Sequence, residues 1–132
     1  MAKKFTLGKT ERLKSRKAIE KLFKNGKDFG IAPFRVMYQQ ITDSGLHFGV
    51  GVSARNFRKA VDRNRIKRLT REAYRLQKIP LQQLISSRKK GMNIFFTYMG
   101  NEIPDYITVS AAVEKCINKL MNKIGENSAP HT

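Results

Sequence analysis

Residues Arg55–Arg75, RNFRKAVDRNRIKRLTREAYR, decide how this chain reads. Nine of the 21 are Arg or Lys, and only Asp62 and Glu72 are acidic. The stretch keeps a helical period, with Ile66, Leu69, Ala73 and Leu76 recurring at i, i+3, i+7 and i+10. At about 100° per residue these four share one stripe, which predicts a helix docked on a core. Asn64, Lys67, Arg68, Arg71 and Arg75 gather on the opposite side, with Arg63 at its edge. Such a basic outer face suits a row of phosphates far better than a small-molecule pocket.

Outward from this helix, the charge is concentrated rather than spread. Residues 1–27 hold ten Lys/Arg against Glu11 and Glu20, a net of +8, and residues 55–75 hold nine against two, a net of +7. Together they carry +15 of the formal +17. A surface built only for solubility intersperses its signs, so two basic segments point to a polyanion, with nucleic acid first. A membrane surface fits less well, because the aliphatic stripe is narrow and the chain has no Trp anchor.

The 132 residues suit one domain, and 40% apolar with 28% charged residues is a globular composition. The longest strongly apolar run, Ile94–Phe96, is too short for a bilayer span, and the N-terminus lacks the apolar centre of a signal peptide. A single cysteine, Cys116, excludes an internal disulfide and fits a cytoplasmic setting.

Along the chain, residues 1–14 read as a flexible basic arm, 15–125 as one domain and 126–132 as a disordered tail. Ser15 N-caps a first helix that carries Ile19, Leu22 and Phe23 and ends at Asn25-Gly26. Phe34 to Gln40 and His47 to Ser53 alternate as two strands, expected to pair antiparallel across a turn at 43–45. Gly49 and Gly51 leave one face of the second strand bare; either a flat base or another backbone approaches there, or the first helix packs closely. Pro80 opens a short helical segment over 81–85, and Met92–Tyr98 is a further strand. Val109, Ala112, Val113, Cys116, Ile117, Leu120, Met121 and Ile124 stripe a last helix, capped by Thr108 or Ser110 and stopped by Gly125. The expected class is α+β: one small domain with helices on a mixed three- to four-stranded sheet in α-β-β-α-β-α order.

Catalytic material is thin. His47 and His131 lack the partners of a hydrolytic triad, Cys116 lies in a packing stripe, and no metal-ligand cluster or glycine-rich phosphate loop occurs. Glu102 and Asp105 lie close in a loop, within reach of a hydrated Mg²⁺, and such loop pairs are ordinarily just solvated. Binding has ample material: the cations for phosphate, Asn64 for a sugar or base edge, and Phe23 and Phe29 for stacking unpaired bases. Phe34, Tyr38, Phe48 and Phe96 are assigned to the core.

The block Ala60-Val-Asp-Arg63-Asn64-Arg65-Ile66-Lys67-Arg68-Leu69-Thr-Arg71-Glu72 closely resembles the signature of the protein subunit of bacterial ribonuclease P. Arg12-Leu13, Phe23-Lys-Asn-Gly26, Phe34 onward, Gly49 to Ser53 and Ile94 to Thr97 resemble other parts of that family, covering roughly residues 12–124. The resemblance implies a left-handed β-α-β crossover around the basic helix, against the usual right-handed rule. It implies that an RNA subunit cuts the 5′ leader from precursor tRNA using Mg²⁺ held mainly by that RNA, with the protein inactive alone. Arg63, Asn64, Arg65, Lys67, Arg68 and Arg71 are then implied to meet the RNA subunit, with Arg75 continuing the same face. Ile19, Phe23, Arg35, Met37, Gly51, Ser53 and Arg55 are implied to line a leader cleft. The chain departs from the pattern at Ile19, Met37, Ala54 and Tyr98, so its leader contacts are expected to be less electrostatic. Precursor tRNA and the RNA subunit are the implied partners, with no membrane and no small-molecule cofactor. A structural RNA-binding protein of ribosomal type uses the same materials and stands as the alternative; a helix-turn-helix DNA reader lacks the short preceding helix.

Overall fold

The computed structural model describes residues 11–42, 45–88 and 90–128. The elements run α1 (Arg16–Asn25), β1 (Lys27–Ile31), β2 (Phe34–Ile41), β3 (Gly45–Val52), α2 (Ala60–Gln77), α3 (Ile79–Ser87), β4 (Gly91–Tyr98) and α4 (Tyr106–Ser128). They form the expected α+β domain on a mixed sheet, now with four strands in the order β1-β2-β4-β3.

The expected pairing of β2 with β3 is not made. β4 lies between them, antiparallel to β2 from Phe34↔Tyr98 to Ile41↔Gly91 and parallel to β3 from Gly45↔Gly91 to Val52↔Tyr98. The reason lies in β4 itself, which buries Met92, Ile94, Phe96 and Tyr98 on one face and Asn93 on the other. A strand apolar on one face and covered on both gains most in the middle of a sheet. Parallel β3 and β4 make β3-α2-β4 a β-α-β unit. The extra strand β1 escapes a period-two reading because only Phe29 and Ile31 are apolar in Lys-Asp-Phe-Gly-Ile.

Helices cover both faces of the sheet, not one layer as the element order suggests. On the main face Phe34, Val36, Phe48, Ile94 and Phe96 meet α2, α3 and α4. All of the expected α4 stripe is buried or half-buried there, and burial pushes the Cys116 thiol up to about 12. On the second face α1 closes a smaller cluster of Leu13, Leu22 and Met37, with Ala18, Ile19 and Phe95 packed around it.

The glycine face of β3 takes an approaching backbone, as one of the expectations had it, together with a ring that none of them named. The Phe95 ring of β4 lies across it: a Cβ on Gly49 would sit 2.9 Å from Phe95 Cδ1 and 3.1 Å from the Leu13 carbonyl oxygen, and one on Gly51 2.9 Å from Phe95 Cζ. Leu13 is there because its N–H donates to Phe48 O at 2.8 Å, continuing the sheet past edge strand β3. Residues 11–13 are therefore fastened and are not part of a free arm; residues 1–10 lie outside the described residues.

Two helix ends differ from expectation. α4 starts at Tyr106 because Asp105, not Thr108 or Ser110, is its cap, with Thr108 N donating to Asp105 Oδ1 at 2.7 Å. It runs past Gly125 to Ser128, so the tail assigned to 126–132 begins as helix, and 129–132 lie outside the described residues. α1 follows expectation: Ser15 Oγ accepts from Ala18 N at 3.3 Å, and Gly26 N donates to Leu22 O at 2.8 Å.

Gly49→Ala is expected to lower stability to urea by about 1–3 kcal/mol, the usual range for overpacking. The cost should shrink in a Phe95→Ala background, and equal costs in both backgrounds would show that the ring is not the obstacle.

Candidate nucleic-acid interface

α2 is held on the sheet by a stripe turned slightly from the one its periodicity suggests. Ile66, Thr70, Ala73 and Tyr74 are its buried residues, Leu69 is half-buried, and Leu76 is 46% exposed. The Tyr74 ring stacks on Phe48 at 3.9 Å and 5° between planes, and Thr70 Oγ1 donates to the Ile66 carbonyl at 2.8 Å. An aromatic is heavier cargo than Leu76, so the stripe turns toward it.

That rotation settles what the outer face presents. Asn64, Arg65 and Arg68 are exposed, while Arg63, Lys67, Arg71 and Arg75 are half-buried along its margins. They do not stand alike. Arg63 Nη1 donates to Phe57 O at 2.7 Å and Arg58 O at 2.9 Å, so this cation organises the loop that enters α2. Arg75 forms an i,i+3 ion pair with Glu72, Nη2 to Oε2 at 2.6 Å; the hydrogen bond draws Glu72 down and Arg75 up from their ordinary ranges. Burial, reinforced by the Arg12 charge, draws Arg71 down. Asn64, Arg65 and Arg68 form the unobstructed centre, with Lys67 and Arg71 beside them.

The second site is the trough left where α1 covers only part of its sheet face. Pairing aligns Gly30, Arg35, Thr97 and Gly51 in one row across the four strands, and Asp28, Met37, Phe95 and Gly49 in the next. α1 sits over the second row. Met37 is therefore buried beneath it, and Ile19 is half-buried in the same cluster, so these two support α1 and do not floor an open cleft. Phe23 stands at the helix margin, 51% exposed, its ring edge-on to Phe95 with centroids 5.4 Å apart. Beyond it run Arg35, Thr97 and Gly51, then Ser53 and the exposed Arg55 on the loop after β3, where Ser53 Oγ accepts from Arg55 N at 3.2 Å.

Three assignments change. Phe29 is core, packed on Tyr38 with Lys119 Nζ 5.1 Å from its ring centre, and cannot stack a base. Tyr98 points into the core and donates its hydroxyl to Glu102 O at 2.8 Å, so its departure from the family pattern does not alter the trough. Arg35 is ion-paired with Asp28, its Nε donating to Oδ2 at 2.8 Å, which reduces the charge it offers there. Phe95 and Thr97 were missed as floor residues; alternation along β4 against the buried Ile94, Phe96 and Tyr98 is the signal that finds them.

Metal ligation has little to work with. Among the described residues no three His, Cys, Asp or Glu side chains converge. Asp105 is engaged at the α4 cap, where its hydrogen bonds with Thr108 hold its carboxyl below the usual range.

Comparison with known proteins agrees with this fold. The family model described as Ribonuclease P matches residues 7–124. The ribonuclease P protein component of Porphyromonas gingivalis strain W83 is 37% identical over 123 residues, spanning 91% of this chain and 90% of that protein. The ribonuclease P protein structure from Thermotoga maritima superposes with a TM-score of 0.66 at 26% identity, covering 83% of this chain and 96% of that one. The Staphylococcus aureus protein structure gives a TM-score of 0.62 at 19% identity, covering 84% and 94%, a likeness of fold.

Because Arg63 bonds two loop carbonyls, Arg63→Ala should cost about 1–2 kcal/mol of stability. Arg68→Ala, on the open face, should stay within about 0.5 kcal/mol in the same urea titration.

Proposed function

The chain belongs to the ribonuclease P protein family, and from that premise we propose that it assists removal of the 5′ leader from precursor tRNA by holding RNA on both faces of one sheet. The outer face of α2 docks on the catalytic RNA subunit, and the trough beside α1 takes the single-stranded leader. The observation that carries this is the separation of the two sites: α2 packs on one sheet face, and Phe23, Phe95 and the Arg35–Gly51 row lie on the other.

In this reading each residue has a physical task. Arg65, Arg68 and Lys67 neutralise phosphates and release counterions, which makes docking steeply salt-dependent. Phe23, half-exposed and braced by Phe95, offers a face for an unpaired base, a contact tolerant of sequence. Gly51 lets the Phe95 ring lie flat against β3, Thr97 continues the trough floor beside it, and Arg55 supplies a cation at its end. Arg35, shared with Asp28, contributes less charge, in keeping with a leader contact that is less electrostatic.

The protein supplies positioning, and bond cleavage belongs to the RNA partner. Cys116 is buried with its thiol pushed up to about 12, unsuited to nucleophilic work at neutral pH. We assign Mg²⁺ to the RNA, which would hold it and supply the cleavage chemistry. Among the described residues no helix is long and apolar enough to cross a membrane, and we place the complex in the cytoplasm.

Precursor-tRNA cleavage by a bacterial ribonuclease P RNA at low Mg²⁺ tests this reading. Adding the protein should accelerate release of the leader, with no cleavage by protein alone; failure to stimulate would reject it. Phe23→Ala should weaken binding of leader-bearing substrate by about 1–3 kcal/mol while leaving mature tRNA unaffected. Equal losses on both would remove Phe23 from the leader site.

A further inference from the structure

The segment ahead of α1 is fastened at the border of the basic helix. Arg12 pairs with Phe48, and Leu13 N donates to Phe48 O at 2.8 Å. Glu11 secures it further: Lys78 Nζ, only 1% exposed, donates to both carboxylate oxygens at 2.8 Å, and Gln82 Nε2 donates to Oε1 at 3.0 Å.

This fastening aims Arg12. Successive side chains of an extended segment point to opposite sides. Leu13 enters the cluster beneath α1, so Arg12 is directed to the other side, where α2 runs. There Phe48, its pairing partner, stacks on Tyr74, three positions along α2 from Arg71. Arg12 is exposed and Arg71 half-buried, and among the described residues neither guanidinium has an ion-pair or hydrogen-bond partner. The Arg12 charge is close enough to disfavour a second cation at Arg71, adding to the effect of burial there.

Two neighbouring cations with no paired anion among the described residues raise the energy of the folded chain until an anion arrives. We propose that Arg12 and Arg71 form one composite site for a single backbone phosphate of the RNA partner, one guanidinium from the N-terminal segment and one from α2. Two planar donor forks converging on one tetrahedral anion make a strong, charge-assisted contact. The site rests on the reading of α2 as the RNA-docking helix and adds a residue that the helix does not contain. It also ties the two basic segments of the chain into one surface.

The test is affinity for a bacterial ribonuclease P RNA across monovalent salt, for wild type, Arg12→Ala, Arg71→Ala, the double variant and Lys67→Ala. Each phosphate contact contributes about 0.7–0.9 to the slope of log affinity against log salt. Arg12→Ala and Arg71→Ala should each lower the slope by about that amount, and the double variant by no more than either alone. An unchanged slope in Arg12→Ala, or a double loss equal to the sum of the singles, overturns the composite site. Lys67→Ala separates the two levels: a normal loss there beside an unchanged Arg12→Ala rejects the composite site alone. No loss at Lys67 either rejects α2 as the docking face, and the composite site with it. Arg12→Gln, which keeps the side-chain stem, repeats the measurement should the alanine variant melt early.

Discussion

β4 is bonded on both sides, antiparallel to β2 and parallel to β3, and the rest of the molecule depends on that placement. Its alternate side chains build two different interiors. Ile94 and Phe96 face the main core, where Phe96 meets Phe48 edge-on and Phe48 carries Tyr74 of α2. Phe95 faces the other way, covers the glycines of β3 and braces Phe23. One strand thus positions both the basic helix and the aromatic edge of the trough, with the sheet as a spacer between the two surfaces proposed to meet RNA.

The second constraint is electrostatic. A chain with +17 formal charge and few acidic residues pushes itself apart. The described ion pairs lie where they hold structure together: Glu11 with the buried Lys78, Glu72 with Arg75, and Asp28 with Arg35. Among the described residues the cations at the centre of the α2 face, Arg65 and Arg68, take part in none of these pairs, and in the proposed function a polyanionic partner completes them. Stability and RNA binding are therefore linked: an RNA that binds only the folded form stabilises it by mass action.

Local pattern made much of this legible before the structure. The α4 stripe and the Ser15 cap are local features of contiguous residues and stand where the pattern puts them, and the basic helix forms where expected, though its buried stripe is turned toward Thr70 and Tyr74. What escaped depends on contacts between distant segments. β4 between β2 and β3 is set by competition for a central position, which no single strand encodes. β1 has too few apolar residues to announce itself, and the fastening of residues 11–13 needs Lys78 and Phe48, far along the chain. In the trough, Phe23, Gly51 and Arg55 were legible through a family resemblance. Met37 was misplaced because the resemblance could not say which row α1 covers, and Phe29, offered from its residue type alone, because nothing local says which face of β1 turns inward.

The central claim is that one sheet separates two RNA contacts, and site-specific photocrosslinking in the assembled complex tests it most directly. A photoreactive side chain is placed in turn at the positions of Phe23 and Arg68, with the precursor-tRNA leader and the RNA subunit carrying different labels. The account predicts crosslinks to the leader from the first position and to the RNA subunit from the second. Crosslinks from both positions to the RNA subunit, with none to the leader, would contradict it.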